Sequence, residues 1–144
     1  MTRALPDIAI IGAGVVGTTL GIAARRAGYP VVAVASRSEA SARKAARLIG
    51  GEPAVCSAAE AAGRAELVLL TVNDDAIAPL AAALAAAGSV RAGTVVAHCS
   101  GALAADALAP LATTGATVAS MHPLQTFPSI LVAVDRLPGC HCFC

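Results

Sequence analysis

The chain has 144 residues, enough for one domain with a sizeable core. A net charge of +1 and the lack of any Lys/Arg cluster interleaved with the few aromatics (Tyr29, Phe127, Phe143) argue against a nucleic-acid partner. Residues 1–6 lack the apolar core of a signal peptide. The longest apolar stretch, residues 76–88, is too short and too alanine-rich to span a bilayer, so a cytoplasmic protein without membrane contact is expected.

The first element is an unbroken apolar run, residues 8–11, which reads as a buried strand. It leads directly into Gly12-Ala13-Gly14-Val15-Val16-Gly17, which opens a helix expected over residues 14–27. Each glycine has a distinct task in such a turn. Gly12 permits the tight bend, Gly14 lets backbone approach a pyrophosphate, and Gly17 lets the helix pack close to the strand. The helix N-terminus then offers free N–H groups and the positive end of its dipole to phosphate. Gly28 and Pro30 end the helix, and a second strand over residues 31–35 completes a βαβ unit. In that context the glycines point to a dinucleotide held by Gly12, Gly14, Val15 and Val16. A glycine turn serving packing alone is the alternative.

NAD-binding units place an Asp or Glu roughly 20 residues past the glycines to accept from the ribose 2′-OH. Here Ser36-Arg37-Ser38 stands after the second strand, and the first acid is Glu39. Arg37 can pair with a 2′-phosphate through its guanidinium fork, with Ser36 and Ser38 adding hydroxyl donors. NADP(H) is therefore expected in preference to NAD(H). The plainer readings are a solvated Arg37 and Ser38 as N-cap of the next helix, and Ser38 can serve both ways.

Further along, a helix is expected over residues 39–49 and a short strand over 54–56. A short helix over 57–62 should be capped by Ser57 with Glu60 as its capping-box partner. Residues 67–72 read as a buried parallel strand. A helix over 76–87 follows, with Pro79 fitting only near its first turn. Then come a strand at 94–98, a helix at 103–111 and a strand at 116–120. Such alternation predicts a doubly wound, mainly parallel α/β sheet with helices on both faces, in one domain over residues 1–144 with an irregular tail from about 126.

Ligands of open α/β sheets sit outside the carboxyl ends of the strands. That rule selects the glycine turn, residues 36–38, 72–75 and 98–101, and the segment 121–125. Val72 and Asn73 would line a ribose, with a helix cap as the other reading of Asn73. Asp74 and Asp75 suit a helix N-terminus without further function. Ser100 can contact the reactive end of a cofactor or a substrate carbonyl, or cap the helix that follows. His98 reads as structural. His122 is the best general acid/base candidate, because an imidazole titrates near neutrality and this one follows strand six on the ligand side. Gln125 can donate to a substrate carboxylate or close a turn.

Five cysteines without a C-x-x-C pair argue against a disulfide framework. The tail Cys140-His141-Cys142-Phe143-Cys144 carries zinc-type ligands at a spacing unlike structural zinc sites, so free thiols and no metal are expected.

The residues 10–17, Ser36-Arg37, 70–77, 98–102, 108–111 and Ser120-Met121-His122-Pro123-Leu124-Gln125 together resemble the bacterial Rossmann-like oxidoreductases that carry a helical domain after the nucleotide-binding half. These are relatives of pyrroline-5-carboxylate reductase, prephenate dehydrogenase and the β-hydroxyacid dehydrogenases. The resemblance implies a hydride-transferring enzyme acting on a small carbonyl, imine or hydroxyl substrate, with homodimer contacts and part of the substrate pocket supplied by the helical domain. This chain ends where that domain would begin. A non-catalytic nucleotide-binding or regulatory module, or an inactive fragment of such an enzyme, is therefore the rival expectation. A methyltransferase-like domain is a third, against which Arg37 argues.

Overall fold

A computed structural model of the protein describes residues 3–123, 129–138 and 142–143. Six parallel strands form one sheet in the order β3-β2-β1-β4-β5-β6. They are β1 Ile8–Ile11, β2 Val31–Ala35, β3 Ala54–Val55, β4 Leu67–Leu70, β5 Val95–His98 and β6 Thr117–Ser120. Helices α1 Val15–Arg26, α2 Glu39–Ile49, α3 Ala58–Arg64, α4 Asp74–Ala86 and α5 Ala109–Ala112 connect them. The fold is the expected doubly wound α/β sheet.

Strand side chains alternate between faces, so each apolar run feeds two cores. Ala9, Ile11, Val68, Leu70 and Val96 meet α3, α4 and α5 through Ala61, Ile77, Leu84 and Leu111. Ile8, Ile10, Val34, Leu69 and Ala97 face the other way, onto Ala42, Ala45 and Ile49 of α2 and Leu20 of α1. Alanine supplies much of both cores, which brings helix backbones close to the sheet at little buried area per residue. The larger side chains carry most of the hydrophobic stabilisation, about 1.5–3 kcal/mol for each fully buried Ile or Leu. Strand order reverses between β1 and β4, and the crevice that opens at their carboxyl ends is where a ligand can enter the fold.

Several boundaries differ from expectation. Strand β4 stops at Leu70, because Thr71 turns away after one last bond from its N–H to the Ile11 carbonyl at 2.8 Å. Helix α4 begins at Asp74, two residues early, which puts Pro79 in the second turn. The missing donor falls opposite the carbonyl of exposed Asp75, where water can substitute. The helix expected over 103–111 is split into a 3-10 turn, Ala105–Leu108, and α5. Pro110 can neither donate to Asp106 nor fit against its carbonyl, so the chain restarts a helix with the proline in its first turn. The tail expected to be irregular holds α6, Ile130–Arg136, capped by Ser129 and packed on α1. It also holds β8, Cys142–Phe143, antiparallel to β7, His122–Pro123. Gln125, Cys140 and Cys144 lie outside the described residues. Among those described, no helix is long and apolar enough to cross a membrane.

Candidate functional site

The turn from β1 into α1 is held by sterics. Gly12 adopts φ +119°, and a Cβ there would lie 2.6 Å from the backbone carbon of Thr71. A Cβ at Gly17 would collide with the Gly12 carbonyl and the Thr71 hydroxyl. Gly14 differs, since a Cβ there would meet no protein atom within 4 Å. Its bareness is of no use to the protein's own packing and leaves room for a ligand. The first intrahelical bond runs from the Thr18 N–H to the Gly14 carbonyl at 3.0 Å. Among the described residues, the N–H groups of Ala13, Gly14, Val15 and Val16 therefore find no acceptor, and they sit where the helix dipole is positive.

From this turn a groove runs along the carboxyl edge of the sheet, as four cavities that share walls. One of about 340 Å³ is bounded by Ser36, Arg37, Cys56 and Ser57. The next, about 550 Å³, adds Gly12, Gly14, Thr71, Val72 and Asn73 to Ser36 and Arg37. A third of about 670 Å³ reaches from Gly14, Val15 and Val16 past Val72 and Asn73 to Asp74, Asp75 and Ser100. The last, about 530 Å³, lies between Ser100, Gly101, Ser120 and His122. A separate cavity of about 720 Å³ opens at the amino ends of β4 and β5, between Arg3, Glu66 and Arg91. It shares no wall with the groove and carries neither the glycine turn nor a histidine.

The structure thus brings nearly all the expected residues to one surface. Arg37 is exposed, and among the described residues it makes no ion pair, while the neighbouring Glu39 is engaged by Arg43, whose Nε donates at 2.9 Å. Ser36 lines the groove, and its Oγ accepts from the Ser38 N–H at 3.4 Å. Ser38 lines none of the four cavities; its Oγ caps α2 by accepting from the Ser41 N–H at 3.2 Å. Asn73 precedes α4, but its side chain makes no capping bond and stands exposed where two cavities meet. Burial pushes the Cys56 thiol up, against a smaller opposing pull from Arg64 and with a small push from Glu60.

At the far end, His98 is fully buried. Its Nδ1 accepts from the Ser100 N–H at 3.1 Å, so its proton sits on Nε2, which donates to the Ala104 carbonyl at 2.9 Å. This is the structural histidine expected. Ser100 does not cap the helix after β5; its Oγ accepts from the Ala102 N–H at 3.1 Å and closes a local turn instead. His122 is half-buried, with Nδ1 3.4 Å from the Cys99 carbonyl. Its ring lies over Gly101, where a Cβ would come within 2.8 Å of Nε2. A carbonyl can only accept, so the pairing puts the proton of the neutral ring on Nδ1 and leaves the Nε2 lone pair available.

Reading the sequence missed Thr71 and Thr18, and took Ser57 for a cap alone. Ser57 does form the capping box with Glu60, and it also faces Arg37 across the groove. The expected strand over 67–72 runs two residues past the observed end of β4 at Leu70 and so hides Thr71 inside it.

Comparison with known proteins agrees with this fold. The profile of the Rossmann-like domain family matches residues 1–123. Solved structures with this fold include a Bacteroides fragilis protein described as an NADP oxidoreductase, 28% identical, with a TM-score of 0.68 over 84% of this chain and 45% of that one. An imine reductase variant from Myxococcus stipitatus, solved with NAD+, is 19% identical, with a TM-score of 0.69 over 85% of this chain and 42% of its own. The Synechocystis arogenate dehydrogenase is 19% identical, with a TM-score of 0.67 over 85% and 42%. This chain spans less than half the length of these proteins. No curated protein matches it.

Proposed function

This chain belongs to the Rossmann-like domain family, and we propose that it is the NADP(H)-binding domain of an oxidoreductase acting on a small carbonyl, imine or hydroxyl compound. One observation carries the reading: a row of adjoining cavities with the Arg37 guanidinium at one end, an imidazole at the other, and in the middle amides that find no acceptor among the described residues. Bound there, the nicotinamide supplies the hydride chemistry, and the protein supplies orientation and proton handling.

The amides of Ala13, Gly14, Val15 and Val16, with the α1 dipole, hold the pyrophosphate. Val72 and Asn73 border the adjoining ribose. Arg37 and Ser36 pair with a 2′-phosphate. A carboxylate would be needed there to prefer a free 2′-OH, and the nearest one, Glu39, is occupied by Arg43. Ser100 and His122 face the reactive end. In the oxidative direction the His122 Nε2 takes the substrate's hydroxyl proton while Nδ1 stays anchored on the Cys99 carbonyl. In the reductive direction the protonated Nε2 returns that proton to the carbonyl oxygen or imine nitrogen.

The test is a calorimetric titration of the chain with NADPH and with NADH, in wild type and Arg37→Ala. NADPH should bind at least tenfold tighter, a gap of about 1.4 kcal/mol, and Arg37→Ala should erase the gap by weakening NADPH alone. Failure of both nucleotides to bind would remove the enzymatic reading.

A further inference from the structure

The amides of the glycine turn can serve an anion only if they face outward, and something must hold them that way. A trans peptide is a rigid plane, with the C=O of one residue and the N–H of the next on opposite sides. Fixing a carbonyl therefore fixes the following amide. At Gly12 the N–H donates to the Ala35 carbonyl at 2.9 Å, and its own carbonyl accepts the Thr71 hydroxyl at 2.8 Å. The next carbonyl, that of Ala13, accepts from the Thr18 hydroxyl at 3.5 Å. By the geometry of the plane, the Ala13 N–H points away from Thr71 and the Gly14 N–H away from Thr18. Neither N–H has an acceptor among the described residues.

Thr71 is itself anchored outside the loop. Its N–H donates to the Ile11 carbonyl at 2.8 Å, which extends the β1–β4 pairing by one bond, and its Oγ1 lies 3.3 Å from that same carbonyl. The hydroxyl's position is thus set by the sheet. Gly12 and Gly17 are bare on the side where Thr71 sits, whereas Gly14 faces open space. Two of the three glycines therefore make room for this hydroxyl, and the third makes room for a ligand.

We propose that Thr71 is the positioning residue of an anion site. Its hydroxyl sets the polarity of the glycine turn, with carbonyls inward and amides outward, for a diphosphate group, and Thr18 does the same more weakly one peptide later. This rests on reading the groove as a nucleotide site, but the anion-binding part is separable from the nucleotide. The glycine pattern contains no hydroxyl, and Thr71 lies 59 residues from Gly12 in the chain.

The experiment uses the whole chain in four forms: wild type, Thr71→Val, Thr71→Ser and Thr18→Val. Valine keeps the β-branched volume and removes the donor; serine keeps the donor and removes the methyl. Inorganic pyrophosphate and NADPH are titrated separately while the ¹⁵N amide resonances of Ala13, Gly14, Val15 and Val16 are followed, with urea unfolding run in parallel. Wild type and Thr71→Ser should bind alike. Thr71→Val should bind both anions about tenfold more weakly, as loss of one hydrogen bond to a part-buried carbonyl implies, and its Ala13 amide should already be shifted before any ligand is added. Thr18→Val should move the Gly14 amide and weaken binding less, and it decides the matter should Thr71→Val not fold. Equal affinity of the valine variants and wild type would overturn the proposal. So would equal weakening by serine and valine in step with the unfolding midpoint, which would make Thr71 a packing residue. A wild type that ignores pyrophosphate also overturns it. Pyrophosphate binding at these amides with no NADPH binding beyond it would remove the cofactor reading and leave the role of Thr71 standing.

Discussion

Beside β1 the groups lining the groove are backbone amides, and what constrains them is contact between bare α-carbons and the next strand. At the β5–β6 end the facing groups are the side chains of Ser100 and His122, held by bonds of 3.1 and 3.4 Å to neighbouring backbone. The first end is stiff because glycine sterics and parallel strand pairing both restrict it. The second can be retuned by a small change of side chain. On the proposed reading, this division leaves the pyrophosphate to backbone amides and the proton handling to side chains that can be exchanged without disturbing the turn.

The sharpest way to break that comparison is at the glycines themselves. Gly17→Ala drives a methyl into the Gly12 carbonyl and should destabilise the chain by about 3 kcal/mol in urea unfolding, with loss of pyrophosphate binding. Gly14→Ala should stay within about 0.5 kcal/mol of wild type, since nothing lies near and its φ of −79° suits any residue. Its NADPH affinity should nevertheless fall at least about tenfold, because the methyl occupies the ligand's space. A stable Gly14→Ala that binds normally would show that the open space is not a binding space.

His98→Ala tests the other end. It removes one buried and one part-buried bond and leaves the Ser100 N–H without its acceptor, so a loss of about 2–4 kcal/mol is expected with pyrophosphate binding unchanged. Gly101→Ala is gentler. It should displace the His122 ring, visible in its imidazole NMR signals, without altering NADPH affinity. A fall in affinity would mean that the two ends are coupled.

The smallest effect concerns Cys56. Burial favours its protonated thiol in the folded chain, so the folded pKa lies above the unfolded one. The resulting stabilisation is full below the unfolded thiol pKa and is lost as pH rises through the folded value. Unfolding free energy followed through that alkaline range should therefore fall less steeply in Cys56→Ser than in wild type.

Much of this molecule was legible in order along the chain. The run 8–11, the glycine turn, the strand at 31–35 and the helix at 39–49 are local patterns, and each folds as its residues predict because sterics, capping and side-chain alternation act over a few positions. The capping box at Ser57 and Glu60 is equally local. Legibility failed where the outcome depends on a distant partner. The end of β4 is decided by what Ile11 offers Thr71, and the place of β7 by a strand twenty residues later. The split after β5 is a local effect instead, because Pro110 cannot continue the helix past Asp106.

By itself, then, the sequence determined the alternation of strands and helices as far as β6, where the glycines must bend, and that Arg37 stands where an acid would otherwise be, since all of these are short-range consequences of residue type. Only the tertiary structure decided that Arg37, the amides of the glycine turn and His122 line adjoining cavities, that Thr71 holds the glycine turn, and that Gly101 seats the imidazole. Those facts depend on the parallel pairing of β2, β1, β4, β5 and β6, which brings residues far apart in the chain to one edge of the sheet.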